Sequence, residues 1–356
     1  MDSRKDWLTK PPVQVLYESL IAPVEEFLPK SPESDGSLSD LILVPQGDLY
    51  LVPFSLLKSH SKDHLHKRFS LITVPSFHSL LFAHRSASEK PSAATRLVVG
   101  DPELPLSLDN YRCSSSFEQE AEFVGTLFGT KPLVGSDASK ALVCRKAGDA
   151  ECIHFATNTS WKHSALVLSP NKEHGGIQGD SGSSENFLPS PVDFLLTASE
   201  ICQMKLPAKM VVLGCGSSET RSKMTLDGLM GLVRSFLLAG AGCLLVSLWP
   251  VPEPAYKLLL QGFYKRFLRG MRASRALSHA VKLVESNKEF AHPSNWAGFV
   301  LVGRDVKGPK KTIQLCEALT LMIESTVHCR EALKVVLHLV SCSSRAFGVK
   351  VACVVV

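Results

Sequence analysis

Short apolar runs rich in β-branched residues alternate along this chain with segments whose apolar residues recur at helical spacing. That alternation constrains the fold more than any other feature. The runs lie at Leu71 to Val74, Leu97 to Gly100, Cys152 to Thr157, Ala165 to Leu168, Met210 to Gly214, Cys243 to Ser247 and Phe299 to Val302. Helical patterns occupy Phe117 to Phe128, Ala138 to Ala147, Asp193 to Cys202, Leu226 to Leu238, Glu253 to Arg269 and Ala273 to Ser286. The strand-like runs are apolar at consecutive positions, so both faces of each strand need cover. A mostly parallel sheet with helices on both faces provides it, and the expected fold class is α/β.

Before these units, Val13 to Leu28 carries a helical pattern. The run Leu41 to Phe54 reads as a hairpin around Gln46-Gly47-Asp48, where glycine supplies the permissive turn backbone. Asn171 to Ser190 is rich in Gly and Ser and is followed by Pro191. It reads as a flexible insertion rather than a phosphate cradle, which would need to sit tightly between a strand and a helix. The expected organisation is an N-terminal segment over 1–11, one large domain over 12–303 with the insertion at 171–190, a linker over 304–311, a helical hairpin over 312–341 and a tail over 342–356. The tail is apolar to its last residue, which suggests a fragment of a longer chain or an alternative transcript end. No 34-residue helix-pair repeat is present.

At 356 residues with 45% hydrophobic and 21% charged, the chain has ample material for a packed core. Of the net charge of +5, +4 falls in residues 303–356, which hold eight Lys/Arg against four Asp/Glu. The body is nearly neutral, which argues against a nucleic-acid partner. No run approaches the ~18 apolar residues that cross a bilayer, and Met1 to Trp7 lacks a signal-peptide core, so neither membrane insertion nor export is expected. Ten scattered cysteines with no CxxC pair read as reduced, mostly buried thiols of a cytoplasmic protein. His60, His64 and His66 cluster, but Lys58, Lys62, Lys67 and Arg68 surround them, and no metal or other cofactor is expected.

In an open α/β sheet, reactive groups collect at the carboxyl ends of adjacent strands. Two such ends carry reactive residue types: Ile153-His154-Phe-Ala-Thr-Asn158-Thr159-Ser and Val211-Val-Leu-Gly214-Cys215-Gly216. A cysteine leaving one strand beside a histidine leaving its neighbour is thiol-protease geometry.

From about residue 12 to 303 the chain resembles the CHAT domain, a caspase-like module of the separase and caspase clan often found behind tetratricopeptide repeats. Val44-Pro-Gln-Gly-Asp-Leu-Tyr-Leu-Val-Pro-Phe matches the family's VPDG.L..LPF signature. Thr73-Val-Pro-Ser, Val99-Gly-Asp-Pro, Gly135-Ser-Asp-Ala-Ser-Lys140 and Phe194 to Ile201 follow in the family's order. The most specific stretch runs from Asp227-Gly-Leu-Met-Gly to Ser247-Leu-Trp-Pro-Val, with His292-Pro-Ser-Asn-Trp-Ala-Gly after it.

The resemblance also implies a dyad, and here the chain departs from it. The catalytic histidine is the second of H.A.HG, a position held by Asn158, and the glycine after it is Thr159. Asn cannot accept a thiol proton near neutral pH. The nucleophile ends VVLSAC, a position held by Gly216, with Cys215 one place earlier. Of the two acids expected after SLWPV, Pro252 replaces one and Glu253 remains.

The expectation is a catalytically degenerate CHAT domain acting as a protein-interaction or regulatory module of a tetratricopeptide-repeat scaffold. It would bind protein partners in the cytoplasm, with a spindle-associated role in cell division as the finer expectation. The competing expectation is a cysteine endopeptidase using Cys215 with His163 or His154. Otherwise Cys215 is a packed thiol and His154 a core residue hydrogen-bonded to backbone.

Overall fold

The computed structural model describes residues 11–29, 38–58, 63–76, 95–111, 116–171, 189–214, 225–309 and 351–355. Besides four-residue helical turns at Leu65–Arg68 and Pro191–Phe194, the α-helices among the described residues are α1 (Pro12–Leu20), α2 (Ser116–Phe128), α3 (Lys140–Ala147), α4 (Ala198–Gln203), α5 (Leu226–Leu238), α6 (Glu253–Phe267) and α7 (Ala273–Ser286). The strands are β1 (Ser39–Val44), β2 (Phe69–Thr73), β3 (Thr95–Pro102), β4 (Leu133–Gly135), β5 (Ala150–Ala156), β6 (Thr159–Ser160), β7 (Ala165–Val167), β8 (Leu195–Thr197), β9 (Met210–Leu213), β10 (Cys243–Ser247), β11 (Phe299–Gly303) and β12 (Val351–Val355).

Among the described residues nine strands form one sheet in the order β12-β1-β2-β11-β10-β9-β5-β3-β4. All its pairs are parallel except β10 with β11. The consecutive apolar residues of the central strands divide between two cores. Val98, Cys152, Val212 and Leu245 pack under α2, α6 and α7. Their chain neighbours Val99, Ile153, Val211 and Leu244 pack under α3, α4 and α5. A strand surface buried on both sides leaves no solvent face, so the sheet expected from the runs is the one that forms.

Helix α7 illustrates how pattern becomes packing. Ala273, Ala276, Leu277, Ala280, Val281 and Val284 recur at three- and four-residue steps and are all buried. Trp296 is buried and donates from Nε1 to the Ala291 carbonyl at 3.1 Å. Trp249 lies across Gly298, where a Cβ would stand 2.7 Å from its ring. Both tryptophans are thereby structural.

Three local expectations are corrected. The helix read over Val13 to Leu28 ends at Leu20 and continues as a 3-10 turn over Ala22–Phe27, because Pro23 has no N–H to extend an α-helix. No hairpin forms over 41–54. After β1, Gly47 turns at φ +54° and the chain winds into 3-10 turns at Gly47–Leu51 and Phe54–Leu56, burying Tyr50 and Phe54. The helix read over Asp193 to Cys202 breaks in two, since Leu195–Thr197 pairs with β7 and Thr197 caps α4 through Glu200. The last residues of the tail add β12 in parallel to β1. The expected hairpin over 312–341 and most of the insertion at 171–190 lie outside the described residues.

His64 and His66 use their ring nitrogens within the fold. Nδ1 of His64 bonds the Leu56 carbonyl at 2.7 Å, Nδ1 of His66 bonds that of Ser55 at 2.9 Å, and Nε2 of His66 meets Glu285 at 3.2 Å. Burial lowers the His66 pKa below 6.5, although the Ser55 carbonyl and Glu285 pull it up. His279 shifts the same way through partial burial beside Arg266 and Lys282. The unfolded chain therefore binds protons that the folded one resists, and the stability these groups contribute is present above pH 6.5 and lost as pH falls below it. Urea melts should show lower stability at pH 5.5 than at neutral pH, with His66 contributing to the loss. His66→Gln should remove that part of the slope.

Candidate functional site

The site read from the sequence lies where β5 and β9 end side by side. Phe155 pairs with Leu213, and the Gly214 N–H donates to the Phe155 carbonyl at 2.6 Å. The residues after both strands therefore leave the same edge of the sheet. Cys215 and Gly216 themselves lie outside the described residues.

After β5 the chain enters a second sheet, antiparallel and ordered β6-β7-β8, which the sequence reading did not separate from the first. Asn158 opens it. Its side chain is almost wholly buried, Nδ2 donates to the Tyr111 carbonyl at 3.1 Å, and its own carbonyl accepts from Val167 N–H at 2.9 Å. Thr157 Oγ1 donates to the Val167 carbonyl at 2.5 Å.

Two devices hold this small sheet in place. Lys140, buried at the start of α3, donates from Nζ to the Val192 and Leu195 carbonyls at 2.7 and 2.8 Å and pairs with Glu200 at 2.6 Å. Burial alone would raise the Glu200 pKa, but Lys140 and the Thr197 cap hold it below the usual carboxylate value. On the other side, Gly228 and Gly231 of α5 admit the turn at 161–164. A Cβ at Gly228 would stand 2.3 Å from the Trp161 carbonyl oxygen, and one at Gly231 would stand 2.7 Å from Ser164 Oγ. The Asp227-Gly-Leu-Met-Gly motif and the Gly135 to Lys140 motif are thus the parts that lock the loop bearing Asn158.

The histidines named as fallback bases go to different places. His154 is fully buried, in register with Val212 on the face covered by α2 and α6. Its partners are side chains rather than the expected backbone: Nδ1 meets Tyr264 Oη at 2.8 Å and Nε2 meets Glu120 Oε1 at 2.7 Å. His163 is exposed, with Nδ1 2.8 Å from Ser160 Oγ.

Among the described cysteines, burial pushes Cys152 up to about 12 and Cys243 well above its ordinary value, so neither is a nucleophile near neutral pH. Cys144 is also raised by burial, and Cys202 is exposed. Glu253 opens α6 after Pro252 and pairs with Lys257 at 2.5 Å, a partly exposed contact. Among the described residues no group of three His, Cys, Asp or Glu could hold a metal ion. No described helix is long and apolar enough to cross a membrane.

The sequence reading missed three features of this region. Asp101, at φ +38° before Pro102, is a strained residue at the same edge of β3. Glu120 and Tyr264 became visible only as partners of His154. The acidic residue in an otherwise apolar helix face at Phe117, Ala121 and Val124 was the available signal for Glu120.

A mostly parallel sheet covered on both faces by helices, with β5 and β9 ending side by side, defines an α/β protein. A model of the CHAT domain matches residues 10–304, and the chain belongs to that family. Tetratricopeptide repeat protein 28 of Homo sapiens is 42% identical over 367 residues, covering 95% of this chain and 15% of that protein. The Mus musculus protein of the same name is 41% identical over the same shares. The chain thus spans about 15% of the length of these curated relatives. Of solved structures, a Saccharomyces cerevisiae separase–securin complex matches 76% of this chain and 16% of that chain, with a TM-score of 0.49 and 14% identity. The Arg-specific cysteine proteinase gingipain R matches 82% of this chain and 66% of that chain, with a TM-score of 0.40 and 11% identity.

Proposed function

We propose that this CHAT domain is a protein-interaction and regulatory module of a larger tetratricopeptide-repeat protein, with dyad positions that no longer catalyse peptide hydrolysis. The observation that carries the reading is Asn158. At the position where the family motif places the base stands a buried amide, its nitrogen committed to the Tyr111 carbonyl. An amide bound in this way organises a loop and takes no proton. The peptidase reading needs a free imidazole near Cys215. Both ring nitrogens of His154 are engaged inside the core, and His163 is turned to solvent beside Ser160. The cytoplasmic, spindle-associated role in cell division is the finer part of the proposal, tested by imaging the tagged full-length protein through mitosis.

Labelling the chain with a cysteine-directed electrophile, mapped by residue, tests the reading. An ordinary thiol with a pKa near ~8.5 is only a few per cent thiolate at pH 7, so Cys215 should react no faster than exposed Cys202. Selective labelling of Cys215 at pH 6, or peptide cleavage abolished by Cys215→Ala, would establish the peptidase instead.

A further inference from the structure

Helices α6 and α7 cover one face of the sheet, and from Ala255 to Val284 the chain carries seven Lys/Arg, one His and no Asp/Glu. The apolar sides of both helices are spent on the core, where Leu259, Phe263, Phe267, Leu277 and Val284 are buried. The charged side is turned outward. Helix stability does not account for it on α7, because the macrodipole favours acids in the first turn and bases in the last, and α7 has neither. Arg272 and Arg275 stand at its start instead, and Asp305 supplies the acceptor for the Ser274 N–H at 2.9 Å.

Gly262 lets the two helices close together, since a Cβ there would stand 3.1 Å from Leu283 Cδ2 and 3.3 Å from the Ala280 Cα. One turn further along α6 stands Arg266. Partial burial first, and then the charges of Arg266 and Lys282, lower the His279 pKa, so these three groups share one neighbourhood. Lys265 and Arg269, both exposed, continue the cationic line around the end of α6. Among the described residues Lys265, Arg266, Arg269 and Lys282 pair with no carboxylate. The acids nearby are committed: Glu253 to Lys257, Glu285 to Lys67 and His66, and Asp305 to Ser274. Cations gathered in this way repel one another, and a bridging anion relieves the repulsion.

The cationic end of this face is remote from the strand ends at Asn158 and Gly214. Helix α6 starts beyond the carboxyl end of β10 and runs back, and the Met271 carbonyl after it accepts from the Gly308 N–H, past the end of β11, at 3.0 Å. Because β11 is antiparallel to β10, and β10 parallel to β9, that end is the opposite edge of the sheet. On its other flank α6 meets α2, where Lys257 reaches Gln119 at 3.4 Å and Glu118 and Glu122 are exposed. A nucleic-acid backbone or an anionic bilayer would extend over these carboxylates and be repelled. The aromatic rings of α6 are buried, which leaves none to stack on bases. Leu283, by contrast, is exposed at the seam beside the cations.

We propose that the outer face of α6 and α7 docks a short acidic segment of a protein partner, its carboxylates set against Lys265, Arg266, Arg269 and Lys282 and an apolar residue against Leu283. This face is independent of the cleft: its failure would leave the reading of Asn158 standing, and a reactive Cys215 would leave the face standing.

The test is fluorescence anisotropy of a labelled peptide of about twelve residues, alternating Glu pairs with Leu, titrated with the full chain at about 0.15 M salt. Lys265→Glu, Arg269→Glu and Lys282→Glu together should weaken binding at least about tenfold, because each reversal removes an attraction and adds a repulsion. Lys131→Glu, Arg145→Glu and Lys146→Glu make the same change of net charge at exposed sites elsewhere. Charges more than about 8 Å away are screened at this salt, so that triple should change binding less than about twofold. Equal losses in both triples, or no saturable binding by the parent, would overturn the proposal. Duplex DNA or phosphatidylserine vesicles that bind more tightly than the peptide, and lose binding in the first triple, would overturn it in favour of those surfaces. A parent dimer that the first triple dissociates would overturn it in favour of a second copy. Should the first triple fail to fold, Gln at the same three positions decides: binding should weaken at least about threefold, and an unchanged affinity overturns the proposal.

Discussion

A variant carrying Asn158→His, Thr159→Gly and Gly216→Cys should be labelled at residue 216 by an electrophilic peptide probe at pH 6, at least about tenfold faster than any cysteine of the parent chain. Pairing with an imidazole raises the thiolate fraction at that pH by roughly two orders of magnitude. The lower nucleophilicity of a low-pKa thiolate takes back part of that gain. The structure supplies an orienting group for the new base. The Tyr111 carbonyl, which accepts from Asn158 Nδ2 at 3.1 Å, lies where an imidazole Nδ1–H introduced at 158 would donate. That bond would leave Nε2 free to take a thiol proton, the arrangement in which a third group fixes the tautomer of a catalytic base. Thr159→Gly is needed because a β-branched residue restricts the backbone that must turn an N–H toward the developing oxyanion, a donor worth about 3 kcal/mol of barrier in comparable sites. Absence of labelling in a folded variant would show that restoring these three residues is not sufficient for reaction at 216.

Lys140→Met should destabilise the domain by about 2 kcal/mol, because it leaves the buried Leu195 carbonyl without its donor, at about 1 to 3 kcal/mol for such a group, while the Val192 carbonyl, at an exposed residue, regains water. Glu200 is partly exposed and regains water, so its lost ion pair adds little. In a domain of this size the melting temperature should drop by roughly 3 °C. The loss should be local as well as global. Lys140 ties the residues before β8 to α3, and β7 bridges β8 to the loop of Asn158, so proteolysis near 189–197 should accelerate below the melting transition. A thermal melt identical to the parent would show that this lysine is not the anchor.

The helix broken at 193–202 shows the limit of reading a pattern. Phe194-Leu-Leu followed by Thr197-Ala-Ser-Glu200 satisfies helical spacing, yet Leu195 to Thr197 find open partners on β7 and pair there. Gly47 behaves similarly. A permissive turn residue was legible, but what followed was set by the pocket that Tyr50 fills rather than by the turn. Local propensity yields when a buried partner is available, and the partner is not written locally.

Sequence by itself determined the α/β class, the burial of the central strands on both faces, the family, and the placing of Asn158 at a strand end next to that of Gly214. Each is carried by spacing within a few residues or by an ordered set of motifs. Only the tertiary structure decided what those residues do. His154 meets Glu120 across 34 positions of sequence and Tyr264 across 110, and its partners are side chains where backbone was expected. Asn158 takes its acceptor from Tyr111, 47 positions away. The physical reason is that periodicity specifies which face of a strand is covered, while the choice of partner depends on which helix reaches that face. That choice is made by packing between segments distant in the chain.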